Sequence, residues 1–318
     1  MSAIPRALAF LGPQRFKPTL GAVVAALGIE GDLATVTAGW QERELEVEEL
    51  HEHLGGRAVN LELHRRGEAV LAADPEFAAA YRRRQELFKE MQEIYALRLD
   101  AAMAACTALA ARTGHARLLE EERAAALENV RTLDDTHAAR MGEVHVEFDA
   151  RWRPLERDAL SRERAELARL LANVDALAIA GGHVAVLANR LRLFDVLALS
   201  GDRPVIAWSA GAMACAERIV LFHDHPPYGT GHAQVLDQGL GLADGLVFLP
   251  HARRRLDLAD AARVGVFARR MSPRAAVVLE DGAALTWRLG AGWTADEGCL
   301  RMQVDGTLLP LEPKGLAA

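Results

Sequence analysis

The second half of the chain repeats one pattern. A short run, apolar on both faces, ends on a small or polar residue and gives way to a helical stretch. The runs are DALAIAGG (175–182), RPVIAWS (203–209), LVFLPH (246–251) and AVVLED (276–281). VAVLANRLRLFDVLALS follows the first run and AGAMACAERIV the second, and both read as helices. A strand with no polar face cannot border water. It has to lie between two helical layers, which is the packing of a parallel α/β sheet. In such sheets ligands bind beyond the C-terminal strand ends. Those ends here carry a serine, a histidine and two acids.

Around this pattern the chain divides into three zones. Residues 1–73 read as strand, helix, strand, forming the first part of the α/β domain. ALAFLG (7–12) is an apolar run closed by Gly-Pro, Thr19 suits a helix cap with Gly28 as its stop, and LATVTAG (33–39) is a second β-rich run. VNLELH (59–64) alternates weakly and gives a third strand. Residues 74–153 form an inserted helical hairpin. Asp74-Pro75-Glu76 is a helix start: an Asp cap, proline at the first position, and an acid near the positive helix end. Apolar residues then recur at steps of three and four, from Tyr81 through Tyr95 and Leu99 to Leu109. After Thr113-Gly114 they recur again from Leu119 through His137 to Trp152. His137 lies on the apolar stripe and reads as a core histidine. Pro154 ends the pattern, and residues 154–318 complete the α/β domain.

Composition narrows the function classes. The 318 residues are 51% hydrophobic and 25% charged, which permits a sizeable core. A formal net charge of −7 argues against a nucleic-acid or anionic-membrane binder. The three cysteines are far apart, share no metal-ligand spacing and suit a reducing cytoplasm, the expected location. The N-terminal residues lack the features of a signal peptide. No uninterrupted run approaches the ~18 apolar residues of a membrane span.

The stretch AWSAG places Ser209 between Ala207 and Gly211, with small residues two before and two after. This is the pattern of a nucleophile elbow, with alanine in the first place of G-x-S-x-G. Such a turn projects the hydroxyl outward and leaves the Ala210 N–H at a helix start, where a developing oxyanion is stabilised. A base is then needed, and His251 stands at a strand end. Its carboxylate partner is Glu280 or Asp281. Asp224, Asp237 or Asp244 would give the order Ser–Asp–His of α/β-hydrolases, but that fold places serine and histidine much further apart than the 42 positions here. HDHPPYGTGH (223–232) reads as a loop. His223-x-His225 lacks a third metal ligand, so His225 and His232 are expected to contact substrate or solvent.

Four ordered motifs resemble the dipeptidase E and cyanophycinase family of serine peptidases. GLGLADGLVFLPH is similar to that family's GLGLLPG-then-PH segment, and WSAGAMA to its T-S-A-G-A elbow. NVDALAIAGGHVAVLANRL is similar to its strand-then-double-glycine motif, and VVLEDGAAL to its I-D-E-G-T-A-L turn. The likeness covers about residues 154–290 well and 1–73 weakly.

The resemblance implies a flavodoxin-like parallel sheet with helices on both faces, as in class I glutamine amidotransferases, with serine in place of their cysteine. It implies a triad in the order Ser209, His251, then Glu280 or Asp281, and a second oxyanion N–H from Gly182. It also implies hydrolysis of amide bonds around aspartyl residues in small peptides or isopeptides, with no metal or organic cofactor. His183, Trp208 and Arg255 stand beside these motifs and are expected to contact substrate. His183 and Trp208 differ from the family pattern, whereas Arg255 matches a family arginine. The hairpin has no counterpart in the pattern. It is expected to narrow access, to pair two copies of the chain, or to meet a protein partner. A binding or scaffold protein on the same fold is the alternative reading.

Overall fold

The computed structural model describes residues 4–223, 231–314 and 316. The chain runs β1 (Ala7–Leu11), α1 (Leu20–Ala26), β2 (Leu33–Val36), α2 (Glu48–His53), β3 (Ala58–Asn60) and α3 (Leu63–Ala73). The long pair α4 (Pro75–Ala111) and α5 (Ala116–Trp152) comes next, then α6 (Asp158–Ala172), β4 (Ala176–Ile179), α7 (Val184–Phe194) and α8 (Val196–Ser200). The region of the motifs holds β5 (Val205–Trp208), α9 (Ala210–Cys215), β6 (Arg218–Leu221), β7 (Gln234–Gln238), β8 (Leu246–Pro250) and α10 (Ala252–Arg255). It closes with α11 (Ala261–Met271), β9 (Ala275–Leu279), β10 (Ala284–Arg288), β11 (Gly292–Ala295), β12 (Cys299–Met302) and β13 (Leu308–Pro310).

The central sheet has seven strands in the order β11-β10-β1-β5-β4-β2-β3. The five strands from β1 to β3 in that order are mutually parallel, and β10 and β11 join antiparallel at one edge. Side chains alternate between two cores. Leu8, Phe10, Leu177 and Ile179 face one, while Ala9, Leu11, Ala178 and Ile206 face the other. Burial on both sides is what the doubly apolar runs require.

The structure differs from the sequence expectation in how the last two runs pair. LVFLP and AAVVL form β8 and β9, which are parallel to one another but belong to a second sheet, β13-β12-β9-β8. The reason is occupancy: β10 already holds the outer edge of β1. The two sheets meet through the Phe10 and Phe248 rings, 4.7 Å apart. They also meet where Gly12, just after β1, lies against the Glu280 carbonyl, just after β9. A Cβ on Gly12 would lie 1.8 Å from Glu280 O, so only glycine allows that approach.

Three smaller differences have local causes. VNLELH is strand only to Asn60, because the carboxylate of Glu44 accepts the His64 and Arg65 N–H groups at 2.8 Å each and starts α3 instead. Thr19 precedes α1 without capping it. Gln14 Oε1 takes the Thr19 and Leu20 N–H groups at 2.8 Å each. The helix after Ser209 stops at Cys215, and the β-branched pair Ile219-Val220 joins β6 to β7.

The hairpin is two helices of 37 residues each. Asp74 Oδ1 accepts the Phe77 N–H at 3.0 Å, with Pro75 opening α4. Tyr81, Tyr95 and Leu99 of α4 share a core with Val130 and Leu133 of α5, and Phe88 packs on the His145 ring, 4.7 Å apart. His137 is buried as well, stacked on Tyr95 at 4.1 Å and bonded through Nε2 to Gln92 Oε1 at 3.0 Å. By length and composition α4 is apolar enough over 18 residues to cross a membrane, although only 17% of that window is buried. Counting uninterrupted runs overlooks it because Arg98 and Asp100 break the run.

A buried network fastens the hairpin to the body. Arg270 of α11 meets Asp134 of α5 through Nε at 2.7 Å and Nη2 at 2.8 Å. Arg270 Nη1 donates to Ala233 O at 2.7 Å, and Tyr95 Oη donates to Asp134 Oδ1 at 2.7 Å and accepts the Val235 N–H at 3.1 Å.

Candidate active site

Ser209 lies between β5 and α9 with φ 53° and ψ −121°. A non-glycine residue with positive φ costs ~1–3 kcal/mol and persists only where neighbours impose it. Here they do. Ser209 N donates to Leu11 O at 3.2 Å, and Met213 N donates to Ser209 O at 3.2 Å. Gly211 passes so close to β4 that an added Cβ would stand 2.4 Å from Ile179 O. A Cβ at Gly181 would stand 3.2 Å from Ser209 Oγ and 3.5 Å from Ala210 N. Small residues therefore surround the hydroxyl for steric reasons. As the first residue of α9, Ala210 has an N–H with no intrahelical acceptor.

The double glycine is locked from the other side. His183 N donates to Gly39 O at 2.7 Å. Gly182 has φ +114°, and a Cβ on it would fall 2.4 Å from Gly39 O. Gly39 follows β2, so the first zone of the chain shapes the site directly.

His251 also has a left-handed backbone, φ 57°, and its Nε2 lies 3.3 Å from Ser209 Oγ. Burial holds its pKa below the ordinary 6.5. The nearby charges of Arg255 and Arg254 act in the same direction, and Asp281 opposes them. The imidazole is therefore neutral near pH 7, with a ring nitrogen able to take a proton.

The two candidate acids differ in their partners. Glu280 Oε1 accepts the Arg253 N–H at 2.8 Å, which commits it to the start of α10. Asp281 Oδ2 lies 3.6 Å from Arg254 and acts on His251 through its charge. Among the described residues neither carboxylate is hydrogen-bonded to the ring.

A cleft of about 560 Å³ opens beside Ser209, bordered by Gly181, Gly182, Trp208 and His251. Its other wall comes from residues that sequence reading did not single out: Arg15, Trp40, Arg43, Glu49 and His53. Only Gly39, at the end of the LATVTAG run, left a sequence signal for this wall.

The other expected contacts scatter. His183 is exposed, caps α7 by accepting the Val186 N–H on Nδ1 at 3.4 Å, and does not line the cleft. Arg255 lies with its guanidinium 5.6 Å from the Phe222 ring, outside the cleft lining. His232 lines a separate apolar cavity with Met103 and Cys106. His225 lies outside the described residues.

No family model matches this chain, and no curated protein matches it. Among solved structures it is similar to a peptidase from an acI-B1 Actinobacterium, at 13% identity and a TM-score of 0.46, covering 96% of this chain and 93% of that one. It is also similar to a protein of Listeria monocytogenes EGD-e named for peptidase E, at 17% identity and a TM-score of 0.28, covering 42% of this chain and 64% of that one. Both pair low identity with a low TM-score.

Proposed function

We propose that this chain is a serine-type hydrolase that cleaves an amide bond in small peptides or isopeptides, aspartyl-containing ones among them. Its architecture is read as flavodoxin-like, of the class I glutamine amidotransferase kind, acting in a reducing cytoplasm. The observation that carries the reading is the strained Ser209 with its hydroxyl 3.3 Å from His251 Nε2. Backbone strain is maintained at a serine that faces a neutral imidazole and an open cleft.

In this mechanism Ser209 Oγ attacks the substrate carbonyl carbon while His251 Nε2 accepts the hydroxyl proton. The carbonyl π electrons move to oxygen, and the N–H groups of Ala210 and Gly182 receive the oxyanion. Collapse expels the amine, which takes the proton from His251. Water then attacks the acyl-enzyme by the same route and frees Ser209. Asp281 is the acid of this reading, since its charge favours the imidazolium and Glu280 is engaged elsewhere. Trp208 and the cleft wall from Arg15 to His53 contact substrate.

A second reading, a binding or scaffold protein working through the hairpin, has one observation in its favour. Ile94 and Leu97 of α4 are 53% and 74% exposed. A serine-directed fluorophosphonate separates the two. The hydrolase reading expects one adduct, on Ser209, absent in Ser209→Ala, along with a loss of ~10⁴-fold or more in any amide hydrolysis. An unlabelled native chain with no amidase activity selects the second reading.

A further inference from the structure

A second cavity, about 640 Å³, lies at the root of the hairpin and shares no lining residue with the Ser209 cleft. Its size falls in the usual range of small-ligand sites, roughly 300–1,000 Å³. Leu191, Leu193 and Leu240 give it an apolar wall. The charged groups around it carry both signs, and most are committed. Arg192 Nη1 meets Asp237 Oδ2 at 2.7 Å, and His145 Nε2 meets the same oxygen at 2.9 Å. Arg153 pairs with Glu156, and Asp195 lies 3.9 Å from Arg164.

Two groups remain. Among the described residues neither Arg84 of α4 nor Asp149 of α5 has an ion-pair partner within 4.0 Å. Arg84 is held instead by aromatic faces, its Cζ 4.0 Å from the Phe148 centroid and 4.7 Å from that of Tyr81. Its Nε is buried with no hydrogen-bond partner. Burial lowers the pKa of Arg84 and raises that of the partly exposed Asp149, and each charge only partly offsets the other's shift, so the two opposite charges face one space without a direct ion pair. A plain anion would meet Arg84 but be repelled by Asp149, Asp195 and Glu156. A plain cation would face the converse. A ligand bearing both charges satisfies both groups.

We propose that this cavity binds a small zwitterion with an apolar side chain, a free amino acid or short unblocked peptide, its carboxylate on Arg84 and its ammonium on Asp149. The proposal does not depend on the chemistry of Ser209.

The test is titration calorimetry of the full chain with leucine, dileucine, N-acetylleucine and leucinamide. Leucine or dileucine is expected to bind saturably. The two blocked forms, each lacking one charge, should bind at least about tenfold more weakly. Asp149→Asn and Arg84→Gln should each weaken the zwitterion by a similar factor. Arg84 supports three rings, so its variant can fail to fold, whereas Asp149 is exposed and its variant carries the test. Absence of zwitterion binding, equal binding of a blocked form, or an unchanged affinity in Asp149→Asn would overturn the proposal. The last result would mean that the ligand's ammonium does not meet Asp149.

Discussion

At the scale of single residues, the site depends on two side chains held on left-handed backbones, Ser209 and His251. Their placement is steric before it is chemical, and a methyl group tests it. Gly211→Ala puts a carbon 2.4 Å from Ile179 O, so the variant should lose about 1–3 kcal/mol in denaturant titration. It should also lose its fluorophosphonate label, because the turn must shift to relieve the contact. The pH dependence follows from His251. Burial and two arginines lower its pKa, so the ring stays neutral to below the ordinary 6.5, and reactivity should fall only as acid protonates it at still lower pH. The midpoint of labelling rate against pH is therefore expected below 6.5. Asp281 raises that pKa, so Asp281→Asn should move the midpoint further down. An upward move would mean that this carboxylate does not face the ring.

At the scale of elements, the hairpin shares the apolar core of the body, and a fully satisfied polar cluster is buried within that contact. Asp134 is 1% exposed and takes both arms of the Arg270 fork. Removing the cation leaves that carboxylate buried and unpaired. Arg270→Met should cost about 3–5 kcal/mol, read as a drop in urea midpoint, and expose α4 and α5 to limited proteolysis. The sequence announces both helices, through the Asp74-Pro75 start, the three-and-four spacing and the Thr113-Gly114 turn. It also announces Ser209 and His251, since each ends a doubly apolar run. It is silent on partnerships between distant residues. Nothing local to Arg270 distinguishes it from Arg269, and nothing local to Leu246–Pro250 shows that β10 has already taken the edge of β1. The cleft wall from Arg15 to His53 was illegible for the same reason. Those residues occupy loops and a short helix, where no hydrophobic period records which way a side chain turns.

At the scale of the whole molecule, the first 73 residues and the last half of the chain share the seven-stranded sheet, with the hairpin tied in through Tyr95, Asp134 and Arg270. Unfolding is therefore expected to be one transition. Tryptophan fluorescence, which reports mainly on the body through Trp40, Trp208, Trp287 and Trp293 with Trp152 at the end of α5, should coincide with far-UV circular dichroism, to which α4 and α5 contribute about half of the helical residues. In Arg270→Met the two curves should separate, with ellipticity lost first. The division into two sheets has a further consequence. The hydroxyl rides on one hydrogen-bonded plate and the imidazole on another, and the Phe10–Phe248 contact is the peg that aligns them. A slip of an ångström between the plates would silence the pair while every strand stayed intact, so the chemistry at Ser209 is a gauge of how the halves are seated.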